Sequence, residues 1–127
     1  MSILDRFKAY ADAFEESFED DDWSRIEPFF TEDAVYIEPF SGSTDAAVGI
    51  DQIRDRFRAG WKTPLPDMEL VVHAIDVRGD GATSSWECRS PALPGPVRGT
   101  DHYVFRLGQI AELRVTIDGR DDDVANA

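Results

Sequence analysis

The chain has 127 residues, of which 42% are apolar and 31% charged. That length supports one hydrophobic core, and that apolar fraction argues against disorder. A net charge of −13 and a pI near 4.3 argue against a nucleic-acid or anionic-membrane binder, whose affinity comes largely from Lys and Arg. No stretch approaches the roughly 20 apolar residues of a membrane span. Met1–Tyr10 carries Asp5, Arg6 and Lys8 inside its apolar pattern, which does not read as a signal peptide. Cys88 is the one cysteine, so no internal disulfide framework exists. These features lead to the expectation of a cytoplasmic protein with no nucleic-acid and no membrane partner.

The charge is local. Residues 12–22 hold seven acids and no base, and residues 118–127 carry a net −3, so the rest of the chain is nearly balanced. The acidic run reads as a solvated helix end that opposes the helix dipole.

In chain order, Leu4, Phe7, Ala11, Phe14 and Phe18 recur at steps of three and four and predict an amphipathic helix over about residues 2–19, with Ser2 as its cap. Asp22 caps a short helix carrying Trp23 and Ile26 that is expected to stop before Pro28. Thr31-Glu32-Asp33 reads as a turn, and Val35 to Glu38 as a short strand closed by Pro39. Residues 40–49 read as a loop. Ile50, Ile53, Phe57 and Trp61 mark a third helix with Asp51, Arg54, Asp55, Arg56 and Arg58 on its wet side. Four long strands follow: Met68 to Arg78, Ala82 to Arg89, Gly99 to Leu107 and Ile110 to Asp118. Gly79-Asp80-Gly81 and Gly108-Gln109 supply the tight turns. The domain is expected to span residues 1–118, followed by a flexible acidic tail over 119–127. Helices early and antiparallel strands late give the α+β class, most simply one curved, cone-shaped sheet wrapped around the long first helix and two further helices.

This layout, with Trp23-Ser24-Arg25-Ile26-Glu27-Pro28-Phe29-Phe30-Thr31-Glu32-Asp33-Ala34-Val35-Tyr36, resembles the nuclear-transport-factor-2-like superfamily, which includes SnoaL-like polyketide cyclases and ketosteroid isomerases. Gly49-Ile50-Asp51-Gln52-Ile53 and Gly108-Gln109-Ile110 look like the same group, and the resemblance covers roughly residues 5–118. It is specific for fold and weak for function, because one scaffold hosts many chemistries. The resemblance implies a homodimer formed through the outer sheet face, which would carry His102, Val104 and Arg106.

Two segments resemble ketosteroid isomerase more closely. In Ala34-Val35-Tyr36-Ile37-Glu38-Pro39, Glu38 occupies the slot of the general base, where the isomerase has Asp. In Thr100-Asp101-His102-Tyr103-Val104-Phe105, Asp101 occupies the slot of the neutral carboxylic acid of the oxyanion hole. The first-helix position matching the isomerase tyrosine is Phe14, which has no hydroxyl, leaving Tyr36 or Tyr103 as substitutes.

The residues themselves add to this. Asp101 alternates with Tyr103 and Phe105, and an Asp on an aromatic face is paired, protonated or functional. The alternatives are pairing with Arg89 or Arg98, or acceptance of backbone hydrogen bonds. Glu38 lies between Ile37 and Phe40 at a strand end, where burial would raise its pKa and exposure would leave it an ordinary surface acid. Trp86 and Cys88 share a strand face. His73 falls on the alternation Glu69, Val71, His73, Ile75, Val77 and reads either as a pocket acid/base or as a sheet histidine. The expected substrate-binding set is Phe14, Tyr36, Phe57, Trp61, His73, Trp86 and Tyr103. Phe18, Trp23, Phe30, Phe105 and Val115 complete the expected hydrophobic pocket.

Two histidines 29 positions apart offer no metal-ligand spacing, and no Gly-rich phosphate loop occurs, so neither metal nor cofactor is expected. The expected function is proton transfer on a small hydrophobic carbonyl compound by an isomerase or lyase. Glu38 would move the proton and Asp101 would stabilise the oxyanion. The alternative is a non-catalytic small-ligand-binding or dimerisation domain of the same fold.

Overall fold

A computed structural model of the chain describes residues 2–39, 45–62 and 65–118. The segment 40–44 of the expected loop and the expected tail 119–127 lie outside the described residues. Helix α1 spans Ile3–Asp20, and its cap is as expected: Ser2 Oγ accepts the Asp5 N–H at 3.1 Å. The helix stops where Asp21 turns left-handed at φ 60° and gives its N–H to the Ser17 carbonyl at 2.8 Å. Asp22 starts the next turn by accepting from the Ser24 N–H at 3.3 Å.

That turn is a 3₁₀ helix, Trp23–Phe29, and it runs past Pro28 instead of stopping before it. A 3₁₀ turn this short does without the proline N–H, and the closing bond comes from the Phe30 N–H to the Glu27 carbonyl.

Strand β1 is Phe30–Ile37, longer than the sequence pattern suggests. The polar Thr31-Glu32-Asp33 makes an irregularity inside the strand, not a turn before it. Phe30 faces Ile110 and Val35 faces Glu112, so β1 spends more residues than its partner over this stretch. Thr31 Oγ1 donates to Asp33 at 2.9 Å, and Arg106 holds Asp33 at 2.6 Å across the strands. A two-residue strand, β2 (Ala47–Val48), stands where a loop was expected and pairs with Tyr36 and Val35. Helix α2 covers Ile50–Trp61. Strands β3 (Glu69–Arg78), β4 (Gly81–Arg89), β5 (Val97–Arg106) and β6 (Gln109–Ile117) follow.

The six strands form one curved, unclosed sheet in the order β2-β1-β6-β5-β4-β3, with β1 parallel to β6 and the other pairs antiparallel. The helices cover its concave side, giving the cone-shaped α+β fold. The fully buried Trp23, Ile26, Phe30, Ile53, Ile110 and Leu113 fill the region where the 3₁₀ helix, α2, β1 and β6 meet. Burying such side chains contributes about 1.5–3 kcal/mol each. At the other edge, β3 is largely exposed on both faces and leaves that side of the cone open.

Candidate functional site

Between α1, α2 and the concave face of β3–β6 lies a cavity of about 590 Å³. The sheet builds its floor by simple alternation. Ser84 pairs in register with Asp101, and Asp101 with Val115, so their side chains share the concave face with Tyr103 and Leu113. Trp86 joins them because of Gly99. Trp86 and Gly99 are register partners, and a methyl group at Gly99 would overlap the indole ring and the Thr116 carbonyl. The missing side chain is the space in which the indole lies.

Asp101 is the titratable group at this floor. Tyr103 Oη donates to its Oδ2 at 3.3 Å. Burial raises its pKa from 3.8 to about 6, against the smaller downward pulls of the Tyr103 hydroxyl and the Trp86 indole N–H. Neither arginine offered by the sequence as a partner reaches it. Arg89 and Arg98 both bind Glu87, on the opposite face of the sheet. Three phenols lie within reach of the Asp101 charge. Tyr10, Tyr36 and Tyr103 are each buried, and burial with the nearby Asp101 charge pushes their pKa values well above the ordinary range. They therefore stay protonated and able to donate at neutral pH.

Tyr10 is the residue the sequence reading missed. It lies one turn before Phe14, so the two share a helix face, and their rings are 6.5 Å apart. The buried face of α1 is centred on Phe7, Tyr10, Ala13 and Ser17. Phe14 and Phe18 are only partly buried there and turn to the cavity. A period that skips Tyr10 in favour of Ala11 conceals the hydroxyl that Phe14 lacks. Ser84 was also missed; its cue is the hairpin register that sets it opposite Asp101.

Of the residues expected to bind substrate, Phe14, Tyr36, Phe57, Trp61, Trp86 and Tyr103 line the cavity. His73 does not. It keeps the face of Val71, the register partner of Glu87, and its Nε2 lies 3.5 Å from Glu87 Oε1 on the convex side, while a register shift between Val72 and Ala74 sets Ile75 opposite Ser84 on the other face. Trp23, Phe30 and Phe105 are packed into the core and are not among the lining residues.

Glu38 is buried, and its Oε1 is 3.3 Å from Arg56 Nη1. Arg56 was expected on the wet side of α2; its side chain is only 18% exposed and also donates to the Asp45 carbonyl at 3.1 Å. Glu38 is not among the described residues that line the cavity. Its charge and that of Asp101 both act on Tyr36, which stands near the two carboxyls.

Among the described residues there is no group of three or more potential metal ligands. No helix among them is long and apolar enough to cross a membrane.

Residues 8–113 match the model of the SnoaL-like domain. The chain belongs to this family. Solved structures agree on the fold. A Sinorhizobium meliloti protein assigned as a polyketide cyclase is 18% identical with a TM-score of 0.68, covering 91% of this chain and 100% of its own. A Kribbella flavida protein assigned as a ketosteroid isomerase is 17% identical with a TM-score of 0.63, covering 89% and 78%. TerC, co-crystallised with polyporic acid, is 18% identical with a TM-score of 0.67, covering 94% and 96%. A comparison with curated protein sequences gives no match. A SnoaL-like fold does not specify a reaction, so function has to be argued from the cavity.

Proposed function

We propose that this SnoaL-like domain is a cofactor-independent enzyme that moves a proton beside the carbonyl of a small hydrophobic compound, in an isomerisation, cyclisation or dehydration. The observation that carries this reading is Asp101, a carboxyl raised to about 6 at the floor of an aromatic cavity. A group with that pKa is mostly ionised at neutral pH yet close enough to protonation to take up and return a proton. The neutral phenols of Tyr10 and Tyr36 would donate to the developing oxyanion, while the Tyr103 hydroxyl stays on Asp101.

This assignment exchanges the roles suggested by resemblance: Asp101 carries the proton, and the tyrosines supply the donors. Glu38, paired with Arg56, is a positioning residue that holds the end of β1 behind Tyr36. The space in the cavity and the absence of an arginine on Asp101 among the described residues favour this reading over a non-catalytic binder. A homodimer through the convex face of the sheet belongs to the same proposal, and sedimentation at micromolar concentration tests it.

Exchange of α-protons tests the chemistry without the natural substrate. In D₂O the protein should accelerate deuterium incorporation into a cyclic ketone such as 2-tetralone. Asp101→Asn should remove at least nine-tenths of that acceleration, and Glu38→Gln should leave most of it. The reverse order would reassign the base to Glu38, and absence of acceleration for any small cyclic ketone would count against an enzyme.

A further inference from the structure

The cavity has a charge bias. Among the described residues that line it, nine carry aromatic rings, three carry carboxylates and none carries a cation. Two of the carboxylates, Glu15 and Glu19, lie one turn apart on α1 and are exposed at its rim. Their neighbours one residue on, Glu16 and Asp20, are both held by Arg25, at 3.3 Å and 2.7 Å. Glu15 and Glu19 have no such counter-charge among the described residues. A like-charged pair at this spacing, in the last half of a helix, works against both side-chain pairing and the helix dipole. Its position beside the cavity gives that arrangement a use.

The rings next to the pair are Phe18 and Trp61, both partly buried, with centroids 5.4 Å apart. Aromatic faces attract cations through their quadrupole, and indole does so best. A hydrophobic body could then reach the tyrosines and Asp101 while a positive group stays at the mouth. An anionic substrate would meet carboxylates at the rim and at the floor.

Resting on the proton-transfer reading above, we infer that the substrate is a hydrophobic amine or ammonium compound whose positive group sits against Glu15, Glu19, Phe18 and Trp61, and that carboxylate- or phosphate-bearing compounds are rejected. Fields of this kind also raise the local concentration of a cationic ligand and fade with added salt.

Three benzyl probes test it: benzyltrimethylammonium, its uncharged isostere neopentylbenzene, and the anion phenylacetate. Quenching of the Trp61 and Trp86 fluorescence reports binding to the intact protein. At low ionic strength the cation should bind about tenfold tighter than the isostere, and phenylacetate weakest. Glu15→Gln with Glu19→Gln should bring cation and isostere within about threefold. Asp12→Asn with Glu16→Gln, which removes the same net charge from residues outside the lining, should leave the preference intact. Equal binding of cation and isostere, tighter binding of phenylacetate, or an equal effect of both double variants would overturn the charge preference and leave the carbonyl reading standing. Failure of all three probes to bind would count against the cavity as a ligand site and so against both.

Discussion

Replacing Asp101 by Asn should make the protein more stable at neutral pH. Burial raises this carboxyl from 3.8 to about 6. A tenfold change in a proton equilibrium is worth about 1.4 kcal/mol, so holding the anion at the cavity floor costs about 3 kcal/mol relative to the unfolded chain. The sign follows from the direction of the shift. Above about pH 6 the group is ionised in both states and the whole cost is present. Between about pH 6 and 4 the folded protein takes up the proton before the unfolded chain does, so stability from this group rises as the pH falls. Below about pH 4 both states are protonated and the cost has gone. The amide of Asp101→Asn carries no charge, but its NH₂ needs an acceptor of its own, which offsets part of the gain. The expected net stabilisation is about 1–2 kcal/mol at neutral pH, falling to nothing or reversing near pH 4. Urea unfolding followed by tryptophan fluorescence at the two pH values measures it. A variant less stable than wild type at neutral pH, or one with the same difference at both, would refute the argument that Asp101 is a carboxylate kept in place against folding stability.

Four other substitutions probe the supports of the site. Gly99→Ala should cost about 3 kcal/mol, because a methyl there displaces the Trp86 indole or the Thr116 carbonyl, and the tryptophan emission should shift with it. Arg56→Ala should cost about 3 kcal/mol by leaving the buried Glu38 carboxylate without its arginine, whereas Glu38→Gln should cost much less; equal losses in urea unfolding would contradict that pairing. Tyr103→Phe removes the hydroxyl that donates to Asp101 Oδ2 and should move the Asp101 titration upward, as read by carboxyl NMR.

Much of the fold was legible because it rests on local rules. The Ser2 and Asp22 caps, the period of α2 and the tight turns between the late strands all follow from near neighbours, and the structure keeps them. The misses come from contacts that no local pattern contains. Thr31-Glu32-Asp33 has the chemistry of a turn, yet Arg106 and the parallel pairing with β6 hold it within a strand. His73 follows perfect alternation in sequence, and a single register shift after Val72 parts it from Ile75 and Val77, which fall on the concave face while His73 stays with Glu87 on the convex one. Arg56 reads as a surface charge by position, yet it is only partly exposed because it lies against the buried Glu38, whose burial the sequence left open.

For the site, Asp101 on an aromatic strand was a signal that sequence carries, because a carboxyl among Tyr103 and Phe105 is chemically out of place. Tyr10 was hidden because the helix face is wide and a stripe through Ala11 fits the apolar period equally well. The role of Gly99 was also hidden, since only the register shows which ring it accommodates.

Whether Asp101 can carry a proton at neutral pH is read from its own titration, by ¹³C carboxyl NMR of the intact protein with Asp101→Asn to identify the signal. The expected midpoint is near 6, well above the ordinary carboxylate. A midpoint near 4, the value of an exposed Asp, would contradict it and remove the proton carrier from the cavity.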